Sequence, residues 1–243
     1  MTKGKIGISL IAAFIALAKP SIAQSTKSAA PDLAGVYQSI SNNVVLPGGF
    51  KNEGSPEEIS LLPTALTKAK AEAEKFGPDP ATTCQVIGPF RMMARDNNMI
   101  DIVASPRTNR TLIFFQDFFL GYIRQVFFDR RPDPRTKFAP EDPGQGDSFG
   151  HWEGDTLVVD TINFNPFIWL NSKWAPHSDV LHLIERYRLL EGGKYLELKM
   201  TAEDPNVLSK PYTYTRYFEK VNTEVPQYFC TDDLAKHAIP AVK

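Results

Sequence analysis

From Met99 onward the chain breaks into short runs of apolar, β-branched and aromatic residues, each cut by residues that suit a tight reversal. The runs Met99 to Ala104, Arg110 to Gln116, Tyr122 to Phe128, Thr156 to Ile162, Val180 to Leu189, Tyr195 to Ala202 and Tyr212 to Lys220 read as strands. The turns between them are Pro106 to Asn109, Leu120-Gly121, Glu153-Gly154-Asp155, Gly192-Gly193 and Asp204-Pro205-Asn206. Strands joined this closely are expected to pair antiparallel, because a parallel crossover needs a dozen or more residues. The expected fold class is mainly β: an antiparallel meander barrel, or a strongly curved sheet, opened by a first strand at Gly35-Val36-Tyr37.

One helix is expected over Pro63 to Phe76. Leu62, Leu66, Ala69, Ala73 and Phe76 recur at helical spacing, Pro63 stands in the first turn, and Gly77-Pro78 is the stop. Two stretches break the strand pattern, Arg130 to Asp147 and Asn163 to Pro176. Long connections of this kind commonly carry function, so a site is expected beside them.

The start of the chain reads as an export signal. Lys3 and Lys5 precede the apolar run Ile6 to Ala18, and Ser21-Ile22-Ala23 offers the small residues a signal peptidase prefers, which places the cut after Ala23. Residues 24–34 then form a flexible lead-in, and residues 35–243 a single barrel domain that is periplasmic or secreted. Without Lys3, Lys5 and Lys19 the chain carries 24 basic against 28 acidic side chains, a balance that argues against nucleic-acid binding. No later stretch approaches the 18 or so apolar residues of a membrane helix, so no membrane insertion is expected after cleavage. Cys84 and Cys230 are an even pair in an oxidising compartment, and one bridge between them would tie the start of the fold to its end; the rival reading is a thiolate nucleophile or metal ligand. Oligomeric state is left open.

The strand Val180 to Leu189 holds the most chemistry. Its alternation turns Leu181, Leu183, Glu185, Tyr187 and Leu189 to one face and His182, Ile184, Arg186 and Arg188 to the other. Glu185 is a carboxylate on an apolar face, where an unpaired charge is costly. Two readings stand: desolvation tunes it for proton transfer, or it pairs with a buried arginine such as Arg124. His177 stands just before this strand, beside the long connection that carries Trp169 and Trp174, where an imidazole can act as general base or ligand donor. His151 reads as a surface strand residue. The four histidines show neither HxH nor HExxH spacing, so no metal site is expected. Nucleotide-binding fingerprints and a GxSxG elbow are absent, and no cofactor is expected.

The run Gly150-His151-Trp152-Glu153-Gly154-Asp155-Thr156-Leu157-Val158-Val159-Asp160-Thr161 resembles the signature G-x-W-E-G-D-T-L-V-V-D-T of a large family of exported bacterial proteins, most of them uncharacterised. The likeness extends to Cys84, Asp129-Arg130-Arg131-Pro132, Pro176-His177-Ser178-Asp179, Glu185-Arg186-Tyr187 and Glu203-Asp204-Pro205. It implies a lipocalin-like fold and no agreed activity. Members of that family tend to have His where Asp133 and Asp147 stand here. The resemblance therefore implies that two of three members of a cluster completed by His177 are carboxylates in this chain, through a changed reaction, a changed ion or a lost site.

Together these readings favour a protein that takes a small aromatic or otherwise apolar molecule into the barrel mouth and performs cofactor-free acid and base chemistry, as a lyase, isomerase or hydrolase. Glu185, His177 and Asp147 are the candidate catalytic groups. Arg124, Tyr187, Gln116, Trp169 and Trp174 are the candidate ligand-binding groups, with the two tryptophans as the rim. The alternatives are a non-catalytic carrier of the same ligand class and an envelope interaction protein with an aromatic outer face.

Overall fold

A computed structural model describes residues 30–77, 79, 81, 87–96, 98–105, 107–116, 121–131, 144–165 and 167–225. Nine strands close into a barrel in chain order: β1 Gly35–Ser39, β2 Met99–Ser105, β3 Arg110–Gln116, β4 Gly121–Phe127, β5 Asp147–Glu153, β6 Thr156–Ile162, β7 His182–Leu190, β8 Tyr195–Glu203 and β9 Tyr212–Val221. β9 returns to β1 antiparallel, Val36 opposite Val221, so the sheet has no free edge. The fold is the meander barrel with one flanking helix that the strand pattern predicts.

Two features differ from the sequence expectation. The first residues of the signature, Gly150 to Glu153, and their upstream neighbours form a full strand, β5, which begins at Asp147, the last residue of the stretch that reads as a loop. β5 also pairs parallel to β4, with Val126 opposite Ser148 and Phe127 opposite Phe149, while every other pair is antiparallel. The connection from residue 128 to 146 is long enough to return the chain to the start of a parallel neighbour, which a tight hairpin cannot do. Gly150 makes this junction possible. A Cβ there would lie 2.8 Å from Val126 Cγ1 and 3.0 Å from Phe128 Cε1, so side chains of β4 occupy the space that any other residue at 150 would need.

Period-two alternation sets the core. Leu183, Glu185 and Tyr187 of β7, Leu196, Leu198, Met200 and Ala202 of β8, and Ile100 of β2 are all fully buried. The helix α1, Pro63–Phe76, stops at Gly77, whose φ of 97° suits glycine, and is pinned at its start by Leu62 N–H donating to Val207 O at 2.8 Å. Its buried side chains are Ala65 and Ala69, whereas Leu66 and Phe76 remain nearly half exposed, so the expected stripe is only partly used. Leu66, Ala69 and Ala73 instead face a groove of about 460 Å³ bounded by Ile59, Leu61 and Lys173. No helix among the described residues is long and apolar enough to cross a membrane.

The two barrel ends differ. At the end where β2, β5 and β7 begin, the short helix α2, Pro89–Met92, sits with Pro89, Phe90, Arg91 and Met92 all buried. Tyr214 donates its hydroxyl to Phe90 O at 2.5 Å and Asn98 donates to Met92 O at 3.0 Å, so the plug is hydrogen-bonded to the barrel. At the opposite end lie the β2–β3, β5–β6 and β7–β8 turns and the segment 30–34.

Candidate functional site

Inside the barrel, Arg124 of β4 meets Glu185 of β7 in a two-pronged ion pair, Nη1 to Oε1 at 2.5 Å and Nη2 to Oε2 at 2.6 Å, with neither side chain exposed. The Tyr187 hydroxyl donates to Glu185 Oε2 at 2.5 Å. Both carboxylate oxygens are thereby engaged, which is what allows the charge to be buried at all. Burial alone would lower the Arg124 pKa, but Glu185 and Tyr187 outweigh it and hold the guanidinium above its ordinary value. Burial first, and then the Glu185 charge, pushes the Tyr187 phenol well above its usual range. The trio is a charged arginine, a carboxylate and a neutral phenol, locked together.

His177 and Asp147 lie elsewhere. Nδ1 of His177 is 2.8 Å from Ser178 O and Nε2 is 2.9 Å from Asn165 O, so the ring spans the β6–β7 connection from its start to its end. Asp147 accepts from Asn163 Nδ2 at 3.0 Å at the start of that connection. Among the described residues no hydrogen bond or ion pair joins either one to Glu185. Trp169 and Trp174 are both buried and meet edge to face at 5.0 Å. Trp174 also stacks on Phe76 and donates Nε1–H to Gly77 O at 2.7 Å, clamping the end of α1. Both tryptophans thus pack at the plugged end. The side chain of Gln116 and residues Cys84, Cys230 and Asp133 lie outside the described residues, as do residues 1–23. Among the described residues no group of three or more His, Cys, Asp or Glu could hold a metal ion. The outer face instead carries paired polar side chains: His182 Nε2 lies 3.0 Å from Asp160 Oδ1, and Arg186 meets Glu153 at 2.7 Å.

The other end holds a cavity of about 570 Å³. Its walls come from inward-facing positions at the strand ends, Ile102, Thr111, Phe128, Trp152 and Leu157, closed on one side by the segment 30–34. That segment is held in place: Tyr37 donates its hydroxyl to Leu33 O at 3.0 Å, and Lys220 Nζ donates to Ala34 O at 2.8 Å. The volume falls within the roughly 300–1,000 Å³ that small-molecule sites occupy. Glu185, Arg124 and Tyr187 do not line it. None of these wall residues is among the candidates read from the sequence. The usable signal was the inward alternation of Phe128 and Trp152, which points two aromatics toward the end with the short turns.

The chain is thus a closed nine-stranded β-barrel with a cavity at one end. No protein-family model matches the sequence, and no curated protein matches it. Among solved structures the chain is similar to secretory abundant heat soluble protein 4 from Ramazzottius varieornatus, with 12% identity, a TM-score of 0.40 and coverage of 78% of this chain and 95% of that one. It is also similar to human cRBP IV, with 12% identity, a TM-score of 0.40 and coverage of 79% and 99%, and to the REP1-NXSQ fatty acid transporter, with 12% identity, a TM-score of 0.37 and coverage of 79% and 98%. The barrel itself is established by the strand pairing of the chain.

Proposed function

We propose that the protein is a carrier that holds a small apolar molecule in the barrel mouth without transforming it. The observation that carries this reading is the position of the cavity: it lies at the end opposite the plug, lined by Ile102, Phe128, Trp152 and Leu157, and the carboxylate suited to proton transfer is absent from its walls. Acid and base chemistry at Glu185 would require a substrate to reach a side chain that is 0% exposed and to displace Arg124 or Tyr187 from one of its oxygens. Burying a ring or chain against these walls is favourable at roughly 25 cal/mol per Å² of apolar area.

The test is titration with the uncharged fluorescent probe N-phenyl-1-naphthylamine, in the wild type and in a variant at Ala104, which also lines the cavity, with Ala104→Trp placing an indole there. Saturable binding that the substitution weakens at least tenfold is the expected result. Binding unchanged by Ala104→Trp would place the probe elsewhere and remove the mouth from consideration.

Export belongs to the same proposal, supported by the basic start, the apolar run and the small residues ending at Ala23. So does a Cys84–Cys230 bridge. Intact mass of protein from its own source, with and without reductant, tests both: loss of residues 1–23 and a gain of about two mass units on reduction are expected.

A further inference from the structure

The outer face of the barrel pairs its charges unevenly. Around β7 to β9, Arg186 meets Glu153 at 2.7 Å, Arg188 meets Glu197 at 3.0 Å and Lys194 meets Glu219 at 3.6 Å. On the face built by β3, β4, β5 and their connections, Arg107, Arg110, Arg130 and Arg131 make no ion pair with any described residue. The nearby carboxylates are Asp129 and Asp32, both exposed, and Asp101, half-buried on β2. In a chain of net charge −1, four guanidiniums without a carboxylate partner are a local positive excess.

Two of these arginines are held for a second contact. Phe127 and Phe149 stand opposite each other on β4 and β5, and their neighbours Val126 and Ser148 are buried, so alternation turns both rings outward. The Arg130 guanidinium lies 3.8 Å from the Phe127 ring centre, and that of Arg131 4.3 Å from the Phe149 ring centre. A guanidinium placed over a ring keeps its N–H edge for a two-pronged contact with phosphate and loses little freedom in making it. Arg110 stands opposite Phe127 on the other side, with Nη1 donating to Gln125 Oε1 at 2.7 Å and a buried Nε that has no acceptor among the described residues.

The same side of the barrel exposes apolar side chains, with Ile123 of β4 54% and Val103 of β2 40% exposed. A soluble polyanion would engage the arginines and leave these two in water. The interfacial layer of an anionic bilayer suits both, with phosphates for the guanidiniums and an apolar zone for the aliphatic groups.

We infer that this face docks the protein on an anionic lipid surface, with Arg130 and Arg131 binding headgroup phosphates and Ile123 and Val103 entering the interfacial layer. Arg110 also lines the cavity, so docking brings the barrel mouth to the lipid. The inference does not depend on the mouth carrying a ligand.

Vesicle flotation with protein isolated from its own source tests it, using phosphatidylcholine alone and equal parts phosphatidylcholine and phosphatidylglycerol. Binding to the anionic vesicles that weakens with added salt is expected, with little binding to phosphatidylcholine alone. Arg130→Gln with Arg131→Gln should lower the partition coefficient on the order of twentyfold, about fivefold for each arginine removed from a charged surface. Ile123→Ser should weaken binding at low and high salt alike. Arg186→Gln with Arg188→Gln, an equal loss of charge where the arginines are already paired, should leave it nearly unchanged. No binding to anionic vesicles, equal binding to the two compositions, or equal losses in the two double variants would overturn the inference. Binding to dextran sulfate through Arg130 and Arg131 without vesicle binding would also overturn it, and would assign the face to a soluble polyanion.

Discussion

Arg124 and Glu185, 61 positions apart in the chain, face each other across the barrel interior through two parallel hydrogen bonds, and neither has any exposed side-chain surface. Two charges removed from water in this way tolerate the loss of both far better than the loss of one. Glu185→Gln or Arg124→Met alone is expected to cost about 3–5 kcal/mol, because each strands the partner, whereas the double replacement Arg124→Met with Glu185→Leu should cost markedly less. Urea unfolding of the three variants measures this. A double replacement at least as damaging as the two single losses combined would contradict it.

Alkaline pH should unfold the protein. Burial and then Asp32 push the Tyr37 phenol up to about 12, and burial and then Glu197 do the same at Tyr217. Tyr187 and Tyr214 are shifted in the same direction, burial being the first cause of each. These groups stay protonated in the fold while the unfolded chain releases its protons near pH 10. Their contribution to stability is therefore complete below about pH 10 and is lost as pH rises through about 12. Tyrosinate absorbance and circular dichroism followed together should show part of the eight tyrosines ionising only as the fold is lost. Ionisation of all eight near pH 10 with the fold intact would refute the expectation.

Gly150→Ala should destabilise by about 1–3 kcal/mol, the usual cost of overpacking, since its Cβ would enter the space of Val126 and Phe128. Thermal unfolding measures the loss. Gly154→Ala is the paired control: a Cβ there has nothing within 4 Å, so its cost should come from the φ of 63° alone and not from packing.

Trp174→Phe keeps most of the ring contact with Phe76 and Trp169 but removes the N–H donated to Gly77 O. A loss of about 1 kcal/mol is expected, with faster amide exchange in the last turn of α1 and unchanged exchange in β7 and β8. Exchange that accelerates throughout the barrel would mean the clamp does not act locally.

Much of the barrel could be read along the chain. β3 and β6 have the bounds that their apolar runs predict, and α1 spans Pro63–Phe76 as expected. These elements depend on periodicity and on Pro and Gly at their ends, which are local properties. β5 was hidden because Asp147 and Gly150 have weak strand propensity, and its pairing along its whole length with β6, and with β4 at Ser148 and Phe149, supplies what its own residues do not.

For the site, alternation along β7 was enough to place Glu185 and Tyr187 indoors, and burial cost was enough to require a partner for the carboxylate. Arg124 is the partner that the sequence suggests, and the pair forms; that the two meet, and which end of the barrel stays open, depends on contacts between residues far apart in sequence. Arg124 reaches Glu185 because closure of the sheet turns β4 and β7 toward a common interior, and α2 plugs the end that the long β6–β7 connection had marked as the mouth. Local pattern determines which way a side chain faces; only the closed barrel and its plug decide what it faces, because those distances arise from the packing of the whole chain.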